Sequence, residues 1–271
     1  MRISLNIKTV KPGTNVIPVN YSYPVSAWIY HTIASGSHEF ADFLHNTGFK
    51  TGARKYKLFS FSQLQFPPRG FKVENDRLAI LNGECRLILT FMAPLALENF
   101  VAGLFKGQEF SIGDTISRAD LKVESVEILP SPTFEGPIKF RSISPVLISK
   151  ERPDSRNAEY LSPVHADFQK IFFDNLINKY TAALSCGLIN ASHPETEEEL
   201  QMQIKILNTP RSHLMIIKAG TPQQTKIKAY SFDFEIIAPP DLIKTGYMAG
   251  FGEKNALGLG CVQPLSGLPN K

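Results

Sequence analysis

Met1 to Thr9 alternates Ile3, Leu5 and Ile7 with Ser4, Asn6 and Lys8, the period of a half-buried strand. From Pro24 to His45 the spacing becomes helical. Val25, Trp28, Ile29 and Ile33 form one apolar stripe, and Phe40, Phe43 and Leu44 a second. Ser35-Gly36-Ser37 breaks the run, and Ser37 is placed to cap the second piece. Strand alternation returns over Lys57–Leu64, and Phe71–Asn82 reads as a hairpin turning at Asn75-Asp76. A strand over Cys85–Phe91, a helix over Pro94–Lys106 and strands over Phe110–Ile112 and Leu121–Leu129 follow. Strand, helix, strands, helix, strands is the βαββαβ order of a ferredoxin-like domain, over residues 1–130.

Pro130-Ser-Pro-Thr133 reads as a linker, and the order then recurs over residues 134–271. A strand is predicted at Ile138–Ile148, through Ser144-Pro145. A helix starts at Ser162 or Pro163 and carries Phe168, Ile171, Phe172, Leu176 and Tyr180. Strands follow at Leu200–Leu207, Leu214–Ala219 and Lys226–Ala238, then a short helix at Asp241–Met248 and a strand at Gly258–Gln263. The predicted fold is α+β: two tandem ferredoxin-like domains, with a glycine-rich loop near the C-terminus.

A 271-residue chain with 43% hydrophobic and 20% charged residues can build a core, which excludes a mainly disordered protein. No uncharged apolar run reaches the roughly 18–20 residues of a membrane span. The first residues carry Arg2 and Lys8 and no long apolar stretch, unlike a signal peptide. Cys85, Cys186 and Cys261 are far apart, with no CxxC, so neither a disulfide framework nor a zinc ribbon is expected. A reducing cytoplasm is the default. The charge is unevenly spread. Phe43–Val73 holds Lys50, Arg54, Lys55, Lys57, Arg69 and Lys72 and no acid. Leu200–Phe232 holds Lys205, Arg211, Lys218, Lys226 and Lys228 and again no acid. With these set aside, the rest of the chain is net acidic. Two such stretches point to a polyanion-binding surface, against the plainer reading of lysines guarding strand edges.

Five of the 18 glycines fall between Gly246 and Gly260, in GYMAGFGEKNALGLG. The spacing is neither a P-loop nor a dinucleotide fingerprint. Such glycines permit positive φ and a close backbone approach to a ligand, where a plain turn needs one or two. Lys254 adds a charge and Asn255 an amide. His31, His38 and His45 are spaced by seven, about 10.5 Å along a helix, too far for two to share a metal. No metal site is expected, and a histidine near neutral pKa suits proton transfer instead.

The glycine segment, read as G-h-G-x5-G-h-G with h apolar, resembles the CRISPR-associated endoribonucleases that cut precursor CRISPR RNA, the Cas-six family of the RAMP superfamily. Ile17-Pro-Val-Asn20 with Trp28-Ile-Tyr30, Phe43-Leu-His45, Lys57–Ser62 and Ser142–Val146 resemble further segments of that family. The resemblance implies metal-independent RNA cleavage with no cofactor. It implies His45 as general acid or base, with Tyr30 and Lys57 beside it. His38 stands in reserve and His31 is third. Repeat RNA would be held by Lys50, Arg54, Lys55 and Arg211, and by the loop through Gly246, Gly250, Gly252, Lys254, Asn255, Gly258 and Gly260. The 2′-hydroxyl would attack the adjacent phosphorus, leaving a 2′,3′-cyclic phosphate and a 5′-hydroxyl. Partners implied are CRISPR repeat RNA and other CRISPR-associated proteins of an interference complex, with a homodimer left open and no membrane. The rivals are a RAMP protein that binds guide RNA without cutting it, and a small-molecule enzyme on the same scaffold.

Overall fold

The computed structural model describes residues 1–152, 155–190, 202–217 and 222–265. The first half contains β1 (Arg2–Thr9), α1 (Ser22–Gly36), β2 (Phe59–Phe61), β3 (Glu84–Phe91), α2 (Pro94–Lys106) and β4 (Arg118–Ile128). The sheet runs β2-β3-β1-β4, all antiparallel, with Glu109–Gly113 added outside β4. The second half repeats it with β5 (Ile138–Ser142), α3 (Phe168–Ser185), β6 (Gln203–Ile206), β7 (Asp233–Ile237), α4 (Pro240–Ala249) and β8 (Val262–Pro264), in the order β6-β7-β5-β8. Both halves are ferredoxin-like: the first strand lies between the third and fourth, and two helices cross one face.

The two helices of the first half touch backbone to backbone. A Cβ at Gly103 would lie 1.8 Å from the Thr32 carbonyl oxygen, and one at Gly36 2.0 Å from that of Asn99. Ser37 caps the next turn, its hydroxyl accepting from the Phe40 N–H at 3.2 Å. That turn begins as an α-helix over His38–Asp42 and widens into a π-helix over Phe43–Thr47.

β1 is buried on both faces at its start, unlike the half-buried strand its alternation predicts: Arg2 and Ser4 are as covered as Ile3 and Leu5. The second half explains this. α4 lies over the outer face of the first sheet, with Tyr247 4.6 Å beneath the Arg2 guanidinium and the Met248 carbonyl accepting from the Thr90 hydroxyl at 2.8 Å. One continuous hydrophobic core therefore runs through both halves. Phe251 plugs its second part, with ring centroids 5.4 Å from Phe234, 5.5 Å from Phe172 and 5.8 Å from Phe140.

Several boundaries differ from the sequence expectation. The strand expected over Ile138–Ile148 ends at Ser142, before Pro145, which has no N–H to donate. Ser149–Arg152 instead pairs with Ser155–Tyr160. The strand expected over Lys226–Ala238 divides at Phe232. Its first part, Thr225–Ser231, pairs with Arg211–Ile217, and its second is β7. The long helix starts at Phe168, after turns. Asn15–Pro18 and the hairpin of Phe49–Thr51 with Arg54–Tyr56 are strands that the hydrophobic pattern does not announce. Leu200, Lys218 and Ala219 lie outside the described residues.

Candidate active site in the interdomain cleft

The π-helical turn places His45 at the end of the α1 region, exposed, where the backbone carbonyls have lost their helical partners. Lys57, entering β2, supplies donors there: its ammonium donates to the carbonyls of Leu44 and His45. Burial, with Lys55 as a second cause, pushes the Lys57 pKa down. Two of its three N–H groups are thus committed to holding the turn, and one is left for a ligand. Tyr30, on α1, meets His45 edge to face at 5.6 Å and Phe59 at 5.6 Å. Burial raises its phenol pKa, so it stays a neutral hydroxyl across the physiological range. His45 Nδ1 lies 3.0 Å from Asn46 Oδ1.

These three residues line a cleft of about 1160 Å³ between the halves. Arg54, Lys55, Tyr56, Lys150, Glu151, Asn175, Lys179 and the segment 252–257 line it too. Cations outnumber carboxylates on the lining, Arg54, Lys55, Lys57, Lys150, Lys179 and Lys254 against Glu151, Asp174 and Glu253. His38 and His31 are exposed and are not part of this lining, nor is Lys50. Arg211 lies in a separate groove with Arg141 and Asp233. The structure therefore gathers Tyr30, His45, Lys57, Arg54 and Lys55, and leaves out His31, His38, Lys50 and Arg211.

The glycine segment is arranged differently from the expectation. Gly246 is inside α4, where a Cβ would lie 2.2 Å from the Phe251 ring. Gly250, Gly258 and Gly260 are buried against Ser60, Phe61 and the Phe251 carbonyl, all at positive φ. A Cβ at any of these positions would meet the protein's own atoms, so each glycine is required by close packing. Asn255 is likewise committed. Its Nδ2 donates to the Phe251 and Leu259 carbonyls, and its Oδ1 accepts from Lys179 at 2.6 Å. Only Gly252, Lys254 and Asn255 of the seven named loop positions line the cleft, and of those only the Lys254 side chain is exposed. The loop is pinned to the first half through Ser26 to the Ala256 carbonyl, 2.6 Å, and Ser60 to that of Leu259, 2.8 Å. Ser149 holds it on the other side by donating to Glu253.

Sequence reasoning missed Lys179 and Asn175. Lys179 is 2% exposed, and burial pulls its pKa down to about 7, with Glu253 opposing. Asn175, one turn earlier, is 8% exposed and its Oδ1 has no protein partner. A signal existed: both sit on the same helix face as Phe172, Leu176 and Ala183. Among the described residues, no three His, Cys, Asp or Glu side chains are grouped as a metal site would need, and no helix is long and apolar enough to cross a membrane.

Two ferredoxin-like domains in tandem, a cation-rich cleft between them and a glycine segment along its lining define the class of the protein. Residues 16–124 match the model for the N-terminal part of the CRISPR-associated protein Cas6, and residues 129–264 that for its C-terminal part. The chain belongs to the Cas6 family. It is 29% identical over 264 residues to CRISPR-associated endoribonuclease Cas6 1 of Methanocaldococcus jannaschii, covering 97% of this chain and 92% of that protein. It is 26% identical to CRISPR-associated endoribonuclease Cas6 of Pyrococcus furiosus, covering 91% and 83%. A solved CRISPR associated protein Cas6 superposes with a TM-score of 0.74 at 27% identity, covering 98% of this chain and 99% of that one.

Proposed function

We propose that this chain is an endoribonuclease that cuts precursor CRISPR RNA within its repeats, and that the interdomain cleft is where it cuts. The observation that carries the reading is the meeting of His45 and Tyr30, edge to face at 5.6 Å, beside Lys57 on a cation-rich wall. The relatives named above, which carry the name endoribonuclease, support it.

In this reading RNA lies along the cleft with its phosphates against Arg54, Lys55 and Lys254. The 2′-oxygen of one nucleotide attacks the neighbouring phosphorus in line, and the 5′-oxygen of the next nucleotide leaves. His45 takes the 2′-OH proton or gives one to the leaving oxygen. Tyr30, held neutral by burial, orients the nucleophile as a hydrogen-bonding hydroxyl. Lys57 holds the His45 turn, and its remaining N–H faces the charge that develops on the non-bridging oxygens. The products are a 2′,3′-cyclic phosphate and a 5′-hydroxyl. The cytoplasm and the company of other CRISPR-associated proteins belong to the same reading.

The test uses repeat RNA with a single 2′-deoxy nucleotide just upstream of the cut, with EDTA present throughout. The all-ribose RNA should be cut and the 2′-deoxy RNA bound but left whole. Cutting of the 2′-deoxy RNA would make water the nucleophile. Binding of both RNAs without products would favour the rival, a RAMP protein that holds guide RNA.

A further inference from the structure

The chemistry proposed for the cleft makes no use of its most buried cation. Lys179 Nζ donates to the Gly250 carbonyl at 2.6 Å, to Asn255 Oδ1 at 2.6 Å, and to the Gly252 carbonyl. An ammonium has three N–H groups and no acceptor, so one short segment consumes them all. No carboxylate pairs with it among the described residues. A buried charge without a counter-charge is costly, and an apolar side chain would fill the same space at less expense. Its three charge-assisted bonds offset that cost and fix the segment's shape. Asn255 extends the hold by donating to the Phe251 and Leu259 carbonyls at 3.0 and 2.9 Å. The segment held this way supplies residues 252–257 to the cleft lining.

We propose that Lys179 is a positioning residue for RNA: its ammonium sets the backbone of Gly250–Asn255 in the shape that receives the strand, so binding of RNA and protonation of Lys179 favour each other. The inference rests on the reading of the cleft as an RNA site. A neutral amine has two N–H groups for three acceptors, and its lone pair would then face a carbonyl oxygen. Burial already draws this lysine's pKa down to about 7. The charged or titratable groups on the elements packed against it are Lys50, Arg54, Lys55 and Tyr56 on the hairpin, Lys170, Asp174 and Tyr180 on its own helix, Asp241, Lys244 and Tyr247 on α4, and Glu253 and Lys254 on the segment. Of these, Glu253 is the one that acts on its charge, favouring the protonated form. A phosphate chain in the cleft adds negative potential in the same sense. Between pH 7 and 9, RNA must therefore draw a proton onto Lys179 in order to bind, and affinity falls as the pH rises.

The experiment measures binding of the 2′-deoxy repeat RNA to the full chain at pH 7 and pH 9 at fixed salt. Wild-type Kd should rise by at least about tenfold across that range, and by about fiftyfold if only the protonated form binds. Lys57, whose pKa burial also lowers, titrates in the same direction. Lys179→Met separates the two: it should bind several-fold more weakly at pH 7 and lose most of the rise. Lys179→Arg, charged at both pH values, should keep RNA affinity and flatten the dependence. A flat wild-type profile, or parallel profiles for wild type and both variants, would overturn the inference even if Lys179→Met fails to fold. Absence of RNA binding by the wild-type chain would overturn the cleft reading itself, whereas binding and cutting without the pH dependence sinks this inference alone.

Discussion

His45 owes its place to three neighbours with different jobs. The Tyr30 ring packs against its edge, Asn46 meets its Nδ1, and the Lys57 ammonium holds the carbonyls of its own turn. Lys57→Ala should therefore slow cleavage and also loosen the turn, lowering the thermal midpoint, and a melting curve beside a rate assay checks both. Lys179 gives a stability effect of opposite sign to its effect on RNA. Its folded pKa, about 7, lies below the ordinary lysine value of 10.5, so between these values the unfolded chain binds more protons. Stability of the RNA-free protein should rise with pH from 7 to 9, and Lys179→Met should remove that rise while RNA affinity behaves as described above. Differential scanning calorimetry at the two pH values reads it. At this scale the sequence was partly legible. Tyr30, His45 and Lys57 are identifiable because their neighbours resemble a known family. Lys179 hides because lysines on amphipathic helices mostly face water, yet its register with Phe172, Leu176 and Ala183 places it on the buried face.

The glycine segment shows how an element recognised from sequence can carry packing contacts that its spacing does not name. A cluster of glycines implies positive φ and close approach, and both are present, but what approaches is the protein's own core. Gly258 has φ +78°, and a Cβ there would lie 2.5 Å from the Phe61 ring. Gly258→Val should thus cost stability before it costs RNA contact. Gly258→Ala is expected to lose about 1–3 kcal/mol in urea unfolding, the typical range for a non-glycine residue held in that conformation. Helices and long strands were legible because apolar spacing sets them; α2 matches its expected span at both ends, and the hairpin turns at Asn75-Asp76 as expected. The short hairpins were not. Arg54–Tyr56 has no buried residue and Ser149–Arg152 none either, so no alternation marks them, and long-range packing decides their pairing. The Ser37 cap was legible from one residue, and Ser37→Ala should cost about 1 kcal/mol.

Over the whole molecule, the first basic stretch reaches the cleft through Arg54, Lys55 and Lys57, while Arg211 of the second lies in another groove. Phosphates in the cleft would displace counterions, so RNA affinity should drop steeply with salt, the logarithm of the binding constant falling with a slope of about −0.7 per phosphate contacted in a single strand. Replacing Arg54 or Lys55 with alanine should make that slope shallower, whereas Arg211→Ala should leave it unchanged if the main strand path is the cleft. The two halves form one site because α4 and the glycine segment pack across the first sheet, a contact that neither half's pattern records on its own. The most direct test of the cleft as the cutting site is single-turnover cleavage of repeat RNA by His45→Ala at saturating RNA, in EDTA. A rate about 10²–10⁴ below wild type, with Kd for the RNA nearly unchanged, is the expected result for loss of one general acid or base. Wild-type cleavage by His45→Ala, with loss in His38→Ala instead, would contradict it.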